Sequence, residues 1–144
     1  MNFTNKHKKF GGFTLLEILV VISIIGILIA IGSAAFTTAQ KKGRDARRRA
    51  DMKQYQSAFE QYFSENNTYA TCGIMEAGFV GGKPADPKTG TTTPYTCTTT
   101  ATPITGYCVC ATLDFSTTGN ASAGNAGACT FAAGSSMFCV QNLQ

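Results

Sequence analysis

Apolar and polar positions divide the chain into four stretches. Residues 1–12 are mostly polar and basic. Residues 13–36 are almost wholly apolar, with Glu17 as their single charge. As a helix rising about 1.5 Å per residue, this stretch spans a bilayer core of roughly 30 Å. From residue 37 the pattern turns amphipathic. Met52, Tyr55, Phe59, Tyr62 and Phe63 recur at helical spacing, with polar residues between them. No proline falls between Phe13 and Thr68, so the two stretches predict one continuous helix of about 54 residues, roughly 80 Å long. Gly26, Gly32 and Gly43 are its weakest points, and Asn66-Asn67 is its expected stop. Residues 67–144 are rich in Thr, Gly, Ala and Ser and hold all four prolines. They predict turns and short strands, at 94–99, 106–113 and 137–142. The run Gly119 to Gly127 reads as a surface loop. The expected fold class is α+β: a long N-terminal helix with a small antiparallel β-sheet head packed on its second half.

An acid in a spanning helix costs about 2.5–3.5 kcal/mol at the helix centre and less near an end. A plain anchor gains nothing from Glu17, which makes it a candidate functional residue. An ordinary secretory signal would account for residues 1–36 only in part. Ser33-Ala34-Ala35 resembles a signal cleavage site, but the apolar run is too long and contains Glu17.

Charge sharpens the division. Lys6, Lys8 and Lys9 lie before Gly11-Gly12. Seven bases lie between Lys41 and Lys53, and beyond Gln54 two lysines face five acids. The net charge of +4 therefore does not describe a basic distal domain. Positive charge favours the cytoplasmic side of a span, and the two basic clusters compete for it. The cysteines decide for an exported distal domain. Cys72, Cys97, Cys108, Cys110, Cys129 and Cys139 are even in number and all follow the apolar stretch, which is the pattern of a disulfide framework. Six cysteines allow 15 pairings. Alternation puts Cys108 and Cys110 on one strand face. Cys97 with Cys108, and Cys129 with Cys139, suit pairs across hairpins. A metal site is disfavoured, because Cys108-Val109-Cys110 is too closely spaced for the usual zinc pattern and the single histidine is His7.

Gly12-Phe13-Thr14-Leu15-Leu16-Glu17 resembles the processing and assembly signature of type IV pilins and of the pseudopilins of type II secretion and competence systems. The likeness extends through Arg44–Gln54 and Ala58–Tyr69 and loosens beyond. It implies that a prepilin peptidase removes a cytoplasmic leader, residues 1–12, by cleavage between Gly12 and Phe13, and that the new N-terminus of Phe13 is methylated. It implies that Glu17 guides assembly. The implied division is 13–36 as the transmembrane and filament-core half of the helix, 37–66 as its amphipathic half, and 67–144 as a disulfide-stapled extracytoplasmic head. The implied function is a structural subunit of a type IV pilus or type II secretion pseudopilus. Its expected partners are further copies in a helical filament, other pilins, the peptidase, an inner-membrane assembly platform and membrane lipid before assembly. Its expected location is a single-pass membrane protein with a cytoplasmic N-terminus, then an extracellular or periplasmic filament. The calcium loop of major type II pseudopilins is not expected, because Asp114 is the single acid after Asp86.

An enzyme is not expected. No histidine follows the leader, no acids pair at catalytic spacing, and neither a phosphate-binding glycine loop nor Cys-x-x-Cys is present. No cofactor is implied. The alternatives are a DNA-uptake pseudopilin, in which Arg47, Arg48 and Arg49 would meet nucleic acid, and a membrane-anchored adhesion module. Against DNA, the cluster reads as a solvated helix face with internal pairs such as Asp45 with Arg49 at i,i+4.

Overall fold

The computed structural model describes residues 11–91 and 95–144. Lys6, His7, Lys8, Lys9 and Pro94 lie outside the described residues. Helix α1 (Leu15–Asn66) and the short α2 (Cys72–Glu76) precede five strands: β1 (Tyr95–Thr99), β2 (Tyr107–Thr112), β3 (Gly119–Asn125), β4 (Ala128–Ser135) and β5 (Met137–Gln141). The strands form one antiparallel sheet in the order β1-β2-β5-β3-β4. The architecture is therefore α+β, a long N-terminal helix followed by an antiparallel sheet. The chain divides into two units between Thr38 and Ala39.

The first unit is the apolar part of α1. Its large side chains, among them Leu16, Val20, Ile24, Leu28 and Ile31, are all exposed. Among the described residues nothing in the unit covers them, and the helix is long and apolar enough to cross a membrane by length and composition. Its two serines hide their hydroxyls on the helix itself, Ser23 donating to the Leu19 carbonyl at 2.7 Å and Ser33 to that of Ala30 at 3.1 Å. Such internal bonds reduce the cost of a polar group in lipid. The helix continues through Gly26, Gly32 and Gly43.

In the second unit the aromatic stripe is the core face of α1. Met52, Tyr55 and Phe59 are buried against Tyr69, Met75, Tyr107, Val109, Ala111 and Val140. Edge-to-face ring contacts join Tyr55 to Phe59, Phe79 and Tyr95, and Phe59 to Tyr107. The helix ends as expected. Asn67 takes a left-handed conformation (φ 54) and donates its N–H to the Phe63 carbonyl at 2.8 Å.

Three of the strands, β1, β2 and β5, fall within the stretches 94–99, 106–113 and 137–142 that the composition predicts. Along β2, Tyr107, Val109 and Ala111 face the helix, while Cys108 and Cys110 face the other side with Cys139 and Ala121. The sheet thus has an aromatic face and a sulfur face.

The disulfides are Cys72–Cys97, Cys108–Cys129 and Cys110–Cys139, which corrects both hairpin pairings. Cys97 stands opposite Val109 in the β1–β2 ladder and Thr98 opposite Cys108. Cys97 and Cys108 therefore point to opposite faces. Cys129 and Cys139 lie on β4 and β5, which are consecutive in sequence but separated in the sheet by β3.

The loop reading of 119–127 is also corrected, since most of that run is β3. Its small residues answer a packing demand. A Cβ on Gly124 would sit 2.8 Å from the Cys108 sulfur and 3.0 Å from the Cys110 sulfur. Ala121 is fully buried beside the same disulfides. The turn into β4 uses Ala126 (φ 46) and Gly127 (φ 81), and a side chain on Gly127 would strike the Thr100 backbone. Neither β4 nor α2 was expected from the pattern.

Candidate functional site

The start of α1 gathers Gly12, Phe13, Thr14 and Glu17. Gly12 and Phe13 precede the helix and are exposed, Phe13 by 82%. Thr14 is the cap. Its side-chain oxygen accepts from the Glu17 backbone N–H at 3.2 Å. In return the Glu17 carboxylate accepts from the Thr14 backbone N–H and from the Thr14 hydroxyl, each at 3.2 Å through Oε2. Thr14-Leu15-Leu16-Glu17 is thus a reciprocal capping box, two donors otherwise without helical partners being satisfied together. The carboxylate also sits in the first turn, where the helix dipole favours negative charge. Among the described residues no cation pairs with Glu17. Thr14 is a residue that the sequence reading passed over, although the Thr-x-x-Glu spacing was there to be read.

The basic cluster has a different character from the one expected. Arg48 is buried, its side chain 5% exposed. It donates to Asp86 from Nε at 2.9 Å and Nη2 at 3.2 Å, and to Asp45 from Nη1 at 3.0 Å. The same Nη1 lies 3.2 Å from Asp114. Arg44 reaches Asp114 at 2.6 Å. Asp45 further accepts the backbone N–H groups of Asp114 and Phe115 at 2.7 and 3.1 Å. Burial works against the Arg48 charge, but its bonds to Asp86 and Asp114 outweigh that and raise it further above its ordinary value. Burial likewise disfavours the Asp86 carboxylate, yet the Arg48 guanidinium and the Lys88 and Thr89 N–H groups hold it below the usual range. Asp114 is held low in the same way by Arg44 and Arg48.

The expected Asp45–Arg49 pair is replaced by Asp45–Arg48 at i,i+3. The face read as solvated carries buried Asp45, Arg48 and Asp51. Asp51 accepts the Tyr95 hydroxyl at 2.6 Å and lies 3.5 Å from Arg47. Arg49 donates to the Thr118 carbonyl at 2.6 Å and stacks over the Phe138 ring at 5.3 Å. Of the three arginines assigned to nucleic acid in the alternative reading, Arg47 alone has a largely exposed side chain, 69%. A fifth carboxylate, Glu60, accepts the hydroxyls of Tyr69 and Tyr107 and the Leu143 N–H. These groups fix the helix to the loops and the C-terminal strand of the second unit. They do not form a catalytic constellation.

Comparison with known proteins follows the same division. Residues 7–33 match the family described as the prokaryotic N-terminal methylation motif. The type IV major pilin protein PilA of Myxococcus xanthus (strain DK1622) is 36% identical over 70 residues, 49% of this chain and 32% of that protein. The chain thus spans about a third of the length of the curated relative it matches. No solved structure matches significantly. The chain thus carries a prokaryotic N-terminal methylation motif at residues 7–33 and is similar, over 49% of its length, to a type IV major pilin.

Proposed function

We propose that a prepilin peptidase cuts this chain between Gly12 and Phe13, that Phe13 is then methylated, and that the mature subunit polymerises through residues 13–36, with Glu17 paired to the N-terminal amine of a neighbouring copy. The observation that carries the proposal is the state of Glu17. It is an acid at the head of the apolar stretch of α1, oriented by Thr14 and paired with no cation among the described residues. Cleavage would create an ammonium group at Phe13, with an ordinary pKa of about 7.7–8.0. Each charge is costly in lipid alone, and together they offset that cost. Pairing between copies would set the register of the filament, while Leu15, Ile18, Leu19, Val21, Ile22 and Ile25, all exposed in the single chain, would bury one another.

The division at 12/13, 36/37 and 66/67 belongs to the same reading. So do a cytoplasmic leader, an extracytoplasmic head and an assembly platform as partner. The test is Glu17→Ala in the cell that makes the filament. The variant is expected to insert in the membrane and show the mature mass beginning at Phe13, yet to give few filaments on shearing. Wild-type filament yield from Glu17→Ala would refute the pairing.

A further inference from the structure

Among the described residues, Lys41, Lys42, Arg49, Lys53 and Lys88 of the second unit pair with no carboxylate, and Glu60 and Glu65 with no cation. Asp45, Asp86 and Asp114 are taken by Arg44 and Arg48, Asp51 by Arg47 and Tyr95, Glu76 by Lys83, and Glu60 by two tyrosines. Lys42 makes no hydrogen bond or ion pair among the described residues. Glu65 meets only the amide of Gln61, at 3.1 Å, and is exposed. The two lie 23 residues apart on α1, about 35 Å along the axis.

Lys42 and Glu65 each border an apolar feature. Lys42 and Arg49 flank a recess of about 340 Å³ whose surface is mostly carbon, formed by Ala46, Phe115 and Thr118, with Asp45 at its edge. Asp45 does not make the recess acidic, because both its oxygens are taken by Arg48 and two backbone N–H groups. At the other end Glu65 shares a cleft with Val80. Val80 is fully exposed, at 103%. It stands on a loop shaped by Gly81 and Gly82, both at positive φ. An isolated apolar residue held out on a glycine loop beside a free acid is a counterpart in shape and sign to a carbon-lined recess beside a free lysine.

We propose that the Lys42–Phe115 recess receives the fully exposed Val80 of a second copy, Val80 entering over Phe115 and Ala46 while Glu65, which lines the cleft beside Val80, meets Lys42. Recess and Val80 lie on different surfaces of one chain, so the contact is heterologous. Its repeat, a shift of about 35 Å along the helix axis between like-oriented copies, does not close on itself and continues as a fibre. The inference rests on the filament reading and adds a head-to-head contact to it.

The experiment uses the full chain in its assembling cell, with Lys42→Glu, Glu65→Lys and the double reversal. Each single reversal replaces an attraction with a repulsion and is expected to lower sheared filament yield about fivefold or more. The double reversal is expected to restore most of the yield. Val80→Asp is expected to lower it and Val80→Ile to keep it. Intact mass beginning at Phe13 in every variant excludes a processing defect. Wild-type yield from both single reversals, or a double no better than the singles, would overturn the contact while leaving Glu17 pairing intact. If Glu17→Ala also assembles normally, the filament reading itself fails and the contact falls with it. An anionic lipid headgroup is the competing occupant. Weaker sedimentation of Lys42→Glu with phosphatidylglycerol vesicles, together with unchanged filament yield, would assign the recess to lipid and refute the contact.

Discussion

Arg48→Ala is the substitution that most directly tests how the second unit is held together. Removing the guanidinium deletes hydrogen bonds of 2.9 and 3.2 Å to Asp86 and 3.0 Å to Asp45, and the 3.2 Å ion pair to Asp114. Asp86, 2% exposed, is left with backbone N–H partners but no cation. Breaking one partner of a buried pair costs about 3–5 kcal/mol. That is a large part of the roughly 5–15 kcal/mol that holds an ordinary domain. For a unit of about 100 residues, 1 kcal/mol corresponds to about 4–8 °C in melting temperature. The expected shift is thus on the order of 12–40 °C downward, read by near-ultraviolet circular dichroism on the oxidised full chain in detergent. Replacing both members of the closest pair, Arg48→Met with Asp86→Leu, is expected to return part of the loss, since the desolvation cost of that pair disappears with its charges while Asp45 and Asp114 still lack Arg48. A shift of Arg48→Ala below about 4 °C would refute the reasoning, as would a double substitution worse than the single.

Two further outcomes are expected. Asp86 and Asp114 titrate below the usual range in the folded chain, so their contribution is complete above the unfolded carboxylate value of about 3.9 and is lost as pH falls through the lower folded values. Tyr55 is pushed up to about 12, chiefly by burial. Its contribution is complete below the unfolded value of about 10 and is lost as pH rises from there towards the folded value. Melting temperature against pH should therefore be flat in between and fall on both sides, and a maximum below pH 4 would contradict this. Gly124→Val is expected to cost about 1–3 kcal/mol by overpacking against the Cys108 and Cys110 sulfurs, with Ser122→Val, on an exposed position of the same strand, near neutral. Equal melting temperatures for the two would refute the close-packing account of β3.

Local pattern and long-range pairing were not equally legible in the sequence. The apolar run, Glu17, the aromatic stripe and strands β1, β2 and β5 are readable because each is written in consecutive residues with a fixed period. The stop at Asn67 is readable for the same reason. Arg48's partners are not, because Asp86 lies 38 residues away in sequence and nothing in the local run marks it as a partner. The disulfides failed for a topological reason: β3 enters the sheet between β5 and β4, which hairpin reasoning cannot foresee. The strand β3 itself was hidden because glycine and alanine signal a loop when read alone. Here they mark backbone pressed against sulfur. At the start of α1, Glu17 stands out by its charge, while the capping role of Thr14 shows only in its bonds to Glu17.

The three disulfide bonds also decide what a protease could do to the head. Cys72–Cys97 closes one ring, and Cys108–Cys129 with Cys110–Cys139 closes an overlapping pair. A single cut anywhere within either region leaves both fragments covalently tied. Between Cys72 and Cys139, only the connection from Cys97 to Cys108 lies outside every ring. It includes the exposed bend at Ala101–Pro103. One cleavage there would leave β2 to β5 held to the long helix by non-covalent contacts alone, and under an unfolding load those strands would come away as a separate peptide. In the filament proposed for this chain, this short stretch is where a single broken bond would shed most of the sheet while its helix stays in place.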